Sequence, residues 1–128
     1  MVPTLPIPKL HLEYRLWINE LNFAKEEITI FEHHLEHVID DDNTIEVNAQ
    51  MEHFQNQFIC HKEVIDKLKH DLHVAEKQLV GYVKQVSGMG LDYIRMDNHV
   101  TLRDRMKTFR KIFDELKNDF RRFEVQCM

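Results

Sequence analysis

Histidine is the residue type here best suited to chemistry, since nine of the 128 residues are histidines. The densest group contains His33, His34 and His37. His33 and His37 are four residues apart, so on a helix they would share a face and could hold one divalent metal ion. A bundle-core carboxylate–histidine centre would also need a Glu that is followed by His three residues later, on two helices, and the sequence has no such Glu-to-His spacing. We therefore predict no cofactor and keep a metal site at His33 and His37 as the alternative hypothesis.

His61 differs from the other histidines because apolar residues flank it at helical spacing. Phe58 lies three residues before it, and Ile65 and Leu68 lie four and seven residues after it, which places His61 on the same buried face. We predict a buried polar residue in an apolar seam. Two interpretations stay open: a core histidine with satisfied hydrogen bonds that helps to fix the helix register, or a pH-sensitive group that destabilises the fold when acid protonates it.

No combination of residues indicates an enzyme. Ser87 has no base beside it in the sequence, and the glycines of segment 88–90 are not followed by the Lys and Ser or Thr of a phosphate-binding loop. Cys60 and Cys127 lack metal-ligand spacing, so we expect reduced thiols. The N-terminus does not resemble a signal peptide, and no apolar run approaches the roughly 20 residues of a membrane span. We expect a cytoplasmic, non-enzymatic protein.

The elements that position these residues are predicted to be helices in a single domain, 1–128. Gly and Pro number three each, and the three prolines all fall in the first eight residues, so the rest of the chain has few helix breakers. We predict an extended Pro-rich arm over 1–8, helices over 9–40, 44–86 and 99–127, and a connector over 87–98. Asn43 is the predicted N-cap of the second helix.

Each predicted helix carries an apolar seam, in which residues are spaced alternately four and three apart, and this pattern predicts coiled-coil-like packing. A short break after residue 40 favours antiparallel helices one and two, so we predict an all-α, up-down-up bundle of three helices. The seam of helix one comprises Leu10, Tyr14, Trp17, Leu21, Ala24, Ile28, Phe31, Leu35 and Val38. The seam of helix two comprises Val47, Met51, Phe54, Phe58, His61, Ile65, Leu68, Leu72, Ala75, Leu79, Tyr82 and Val86. The seam of helix three comprises Leu102, Met106, Phe109, Phe113, Leu116, Phe120, Phe123 and Cys127.

Charges beside two seams predict how helices one and three are aligned. The flanking residues recur every seven positions, and a parallel alignment would pair them by sign four times in succession. This register aligns Tyr14 with His99 and leaves the end of helix two uncovered, so we expect Leu5, Ile7 and Tyr93 or Ile94 to pack there. The flanking series are Glu13, Glu20, Glu27 and His34 on helix one, and Arg103, Arg110, Lys117 and Glu124 on helix three.

A second apolar stripe on helix one has no use inside a three-helix bundle. Leu16, Phe23 and Ile30 recur every seven residues on a face away from the seam, with Leu12 nearby. A row of large exposed apolar residues is typical of a partner surface. The other interpretation is a wider bundle, in which these residues contact helix two or helix three.

Overall charge argues against nucleic acid as the partner. The chain carries a net charge of −5, and the basic residues of helix three alternate with acids, as expected for a solvated face. We therefore predict a helical-bundle protein that acts in protein–protein interaction or assembly. Its expected partner is a second copy of itself, in a homo-oligomer joined through helix one, or another helical protein. We expect no membrane to be involved.

Overall fold

The computed structural model describes residues 4–41, 44–86, 93–95 and 97–127. In these residues the chain forms the predicted all-α bundle of three long helices that run up, down and up. Helix α1 spans Ile7–Asp41, α2 spans Ile45–Val86 and α3 spans Asp97–Gln126. Two strands of three residues each are also present, β1 at Thr4–Pro6 and β2 at Tyr93–Arg95.

The helix starts differ from the predicted ones by one or two residues. Helix α1 begins at Ile7 rather than at residue 9, because Pro8 fits the first turn, where its missing N–H leaves no bond unmade. The predicted arm of 1–8 was therefore too long. Helix α2 begins one residue later than predicted and α3 two residues earlier. Thr44 caps α2, since its hydroxyl accepts a hydrogen bond of 3.2 Å from the N–H of Val47; the predicted cap, Asn43, lies outside the described residues.

The core follows the three seams almost without exception. Every seam residue whose side chain the structure describes is buried or half-buried. Among the described residues, only Ile18 and His99 are buried without belonging to a predicted seam. Phe58 and Phe120 are fully buried, and their ring centroids lie 5.2 Å apart in an edge-on arrangement. Burial of such aromatic side chains supplies a large share of the apolar stabilisation of a small bundle.

The predicted parallel register of α1 and α3 is confirmed by their flanking side chains. All four predicted pairs are in contact. In the pairs Glu13–Arg103 and Glu20–Arg110, the arginine donates hydrogen bonds to both oxygens of the carboxylate. Tyr14 and His99 are also aligned, with ring centroids 5.4 Å apart. The closest N–O distances are 3.0 Å for Glu13–Arg103, 2.7 Å for Glu20–Arg110, 3.7 Å for Glu27–Lys117 and 3.2 Å for His34–Glu124.

The antiparallel packing of α1 on α2 is also visible in ion pairs. Lys25 of α1 contacts Asp66 of α2 at 2.7 Å, and Glu32 contacts Lys62 at 2.8 Å. The partner number falls as the α1 number rises, which defines opposite helix directions. These contacts are half-exposed and contribute little stability, so the apolar seams hold the two helices together.

The N-terminal arm and the connector pair with each other as strands. Strands β1 and β2 run antiparallel, with Leu5 opposite Ile94 and Pro6 opposite Tyr93. Ile7, at the start of α1, packs half-buried against the core. The prediction that Leu5 and either Tyr93 or Ile94 cover the end of α2 concerns side chains that lie outside the described residues. This strand pairing was not predicted, because both segments are too short to show an alternating apolar pattern.

Candidate interaction surfaces

Four large apolar side chains form a line along the outside of α1. We call Leu12, Leu16, Phe23 and Ile30 the outer stripe; their exposed fractions are 57%, 55%, 63% and 52%. The bundle therefore does not cover them. The last three lie about 10.5 Å apart along the helix, because seven residues return to nearly the same face at 1.5 Å per residue. No other described helix exposes three large apolar residues at this spacing.

An acidic row separates the outer stripe from the seam of α1. Glu13, Glu20 and Glu27 occupy this row, and each pairs with a cation of α3. Hydrogen bonding to Glu20 raises the pKa of the Arg110 guanidinium, as expected for a bidentate ion pair. These three carboxylates therefore form ion pairs within the molecule. The outer stripe is an apolar surface beside this row of ion pairs.

The His33 and His37 side chains lie on the surface of α1 and are both exposed. Among the described residues, no group of three or more His, Cys, Asp or Glu side chains is placed to hold a metal ion. A pair of histidines four residues apart on an exposed face supplies at most two ligands, whereas a structural zinc site usually needs four. The geometry gives the metal hypothesis no support beyond the sequence spacing.

His61 lies in the seam of α2 and is only 6% exposed. Its ring centroid is 6.0 Å from that of Phe113 on α3, and it forms no hydrogen bond with the residues that the structure describes. The His61 ring nitrogens are not among the described atoms that are both buried and unpartnered, so water can reach them, and both interpretations of His61 stay predictions. Burial lowers the pKa of the His61 imidazole below its usual 6.5, because desolvation disfavours the charged form.

A groove with a volume of about 880 Å³ runs between α2 and α3, and His61 lies at its floor. Its surface is mainly apolar, and its lining includes Val64 and Leu68 of α2 and Phe109 and Ile112 of α3. Val64 and Ile112 are about half exposed, at 50% and 46%, so the groove opens to solvent. None of the described side chains of α1 lines it, which separates this groove from the outer stripe.

His99 forms a second buried polar group that the sequence analysis did not single out. It is 1% exposed, and its ring stacks on Trp17 with centroids 5.2 Å apart. Its Nε2 lies 2.7 Å from Oε2 of Glu13 and 3.0 Å from Nη2 of Arg103. The shorter contact assigns the N–H to Nε2, which then donates to the carboxylate. Arg103 donates to the same carboxylate at 3.0 Å. The cluster ties the start of α3 to the first turns of α1.

In this cluster the surroundings favour the neutral form of His99 and the ionised form of Glu13. Burial lowers the pKa of His99, and the Glu13 carboxylate only partly opposes the shift. Burial would raise the pKa of Glu13, but the Arg103 and His99 hydrogen bonds and charges outweigh it, so the net shift is downward. The ring is therefore neutral and the carboxylate ionised near neutral pH. The Nδ1 atom of His99 is buried and has no hydrogen-bond partner in the described part of the chain.

A signal for His99 was present in the sequence. His99 precedes Leu102 by three residues and Met106 by seven, so the four-three spacing of the α3 seam extends back to it. The predicted seam begins at Leu102, because the position before it in this spacing holds a histidine and not an apolar residue. Ile18 carried a weaker signal, since it lies beside the seam residue Trp17 and outside the four-three spacing, yet it is only 3% exposed.

No family model, no curated protein and no solved structure matches this chain. Among the residues that the structure describes, no helix is long and apolar enough to cross a membrane.

Proposed function

We propose that this protein is a non-enzymatic assembly module that pairs with a second copy of itself through the outer stripe of α1. The observation that carries the proposal is the exposure of Leu16, Phe23 and Ile30, each more than half open to solvent, at seven-residue spacing. A line of this kind is an unfilled helix–helix seam. Pairing with another helix would remove the apolar surface from water.

The spacing of the outer stripe suits a two-fold symmetric dimer. Phe23 is the midpoint, with Leu16 seven residues before it and Ile30 seven residues after it. In an antiparallel pair centred on Phe23, the two Phe23 side chains meet, and Leu16 of each copy faces Ile30 of the other. An interface of this kind is self-complementary, as a closed dimer requires.

Replacing Phe23 tests the proposal, because the residue occurs twice at the centre of the pair. Burying the exposed part of one Phe side chain contributes roughly 1 kcal/mol or more, so losing two costs at least about 2 kcal/mol. We therefore expect Phe23→Glu to raise the dimer dissociation constant by at least about 30-fold. Sedimentation velocity over a range of micromolar concentrations measures this change directly.

Ile59→Glu is the matched control, since Ile59 on α2 is 51% exposed and lies outside the outer stripe. It should leave the dissociation constant unchanged. A wild-type chain that stays monomeric at all these concentrations would contradict the proposal, as would equal weakening by the two substitutions. Circular dichroism of each variant establishes that the helices remain folded.

The metal-binding alternative predicts a different outcome in the same experiment. If a bound ion at His33 and His37 held two copies together, a chelator or a His33→Ala and His37→Ala double variant would dissociate them. We expect neither treatment to change the sedimentation profile, because the outer stripe needs no ion. Native mass spectrometry reports subunit number and bound metal together and separates the two functions.

A further inference from the structure

The groove between α2 and α3 has the size and lining of a ligand site. Its volume of about 880 Å³ falls within the roughly 300–1,000 Å³ of small-molecule pockets. Val64, Leu68, Phe109 and Ile112 provide its apolar walls. Such pockets typically combine an apolar lining with a few polar groups that orient the ligand, and here the floor supplies one such group.

That group is the His61 imidazole. The side chain is more than nine-tenths buried, lines the groove, and has no hydrogen bond with any described residue. Its ring nitrogens are not among the described atoms that are both buried and unpartnered, so water in the open groove can bond to them. A ligand that displaces this water without replacing its hydrogen bond leaves the imidazole unsatisfied, which costs free energy. A ligand group that bonds to the imidazole from within the groove avoids that cost.

The charges at the rim indicate that this ligand group is uncharged. Lys67 and Arg105 line the groove, but both contact the carboxylate of Asp71, at 3.3 Å and 2.8 Å. The hydrogen bond from Arg105 is the main reason that the pKa of Asp71 is lowered. Glu63 and Asp104 also lie at the rim. A ligand carboxylate would meet these acids while the nearby cations are already neutralised.

We propose that the groove between α2 and α3 binds an elongated apolar molecule that carries one hydroxyl group, which hydrogen-bonds to His61. The alkyl part lies against Val64, Leu68, Phe109 and Ile112. The hydroxyl can donate to the unprotonated ring nitrogen or accept from the protonated one, so it satisfies a neutral imidazole in either tautomer. This site is independent of the outer stripe and adds ligand binding to the proposed assembly function.

The test compares 1-decanol with decane and with decanoate as competitors for Nile red, an uncharged fluorescent probe, on the full-length protein. We expect Nile red to bind with one site per chain. For the wild type, 1-decanol should displace it at roughly 2- to 12-fold lower concentration than decane, the range expected for one net hydrogen bond. Decanoate should compete more weakly than 1-decanol at neutral pH. In His61→Leu the preference for 1-decanol over decane should vanish, while Nile red still binds.

Two further variants establish the location. Val64→Glu places a charge in the groove wall and should abolish probe binding, whereas Ile59→Glu, with the same exposure on the same helix, should leave it intact. Phe23→Glu should also leave binding intact, which separates this site from self-association. A decanol preference that survives in His61→Leu would overturn the proposal. So would equal effects of Val64→Glu and Ile59→Glu, or no binding of Nile red to the wild type.

Discussion

Phe120→Ala and Phe23→Ala remove the same aromatic ring from two different surroundings, which makes them a matched pair for testing the packing of the bundle. Phe120 is fully buried, and its ring centroid lies 5.2–5.4 Å from those of Phe31, Phe54 and Phe58. Its removal leaves a cavity where three helices meet. Substitutions of this type cost about 3–5 kcal/mol.

Phe23 is 63% exposed, so only about a third of its side chain contributes apolar burial to the monomer. Full burial of a Phe side chain contributes roughly 1.5–3 kcal/mol, and Phe23→Ala should therefore cost about 0.5–1 kcal/mol. The difference between the two variants should reach at least 2 kcal/mol. With a urea m-value of roughly 2 kcal/mol/M, Phe120→Ala should lower the midpoint by about 1.5–2.5 M.

Urea denaturation followed by far-UV circular dichroism measures both values, and a domain of this length is expected to unfold in one step. The protein concentration must lie below the dimer dissociation constant, so that only the monomer is measured. Equal losses in Phe120→Ala and Phe23→Ala would refute the packing described here. At higher concentration the wild type should gain stability over Phe23→Ala, because a dimer stabilises the folded state by mass action.

The remaining predictions concern pH and charge. Burial holds the pKa of His61 below 6.5, so the stability from the neutral ring is complete above pH 6.5 and is lost as pH falls through the lowered folded-state pKa. His61→Leu should consequently lose less stability than the wild type between pH 7.5 and 5.5 in urea denaturation; identical losses would remove the pH-sensitive role. Glu20→Arg or Arg110→Glu alone should each cost about 0.5–1 kcal/mol, and the double reversal should recover most of it, whereas additive losses would show that this pair does not contribute to the register.

The sequence determined which face of each helix is buried and how α1 and α3 are aligned. Seam residues spaced four and three apart lie on one face of any helix, so burial of that face follows from local geometry. The flanking charges predicted the register, because only one parallel alignment pairs all four flanking positions by sign, with Glu20 opposite Arg110 and Glu27 opposite Lys117. The same periodicity identified the outer stripe, since Phe23 and Ile30 could not belong to the seam.

Only the tertiary structure decided the features that depend on distances between helices. The burial of His99 needs Trp17 stacked on its ring and Glu13 beside its Nε2, and no spacing within α3 specifies either contact. The groove exists because α2 and α3 leave a gap beside Val64 and Ile112, and the width of such a gap depends on side-chain packing between two helices. The periodicity of apolar residues predicts which side chains face the core. The gap that remains between two helices depends on how all three helices pack together.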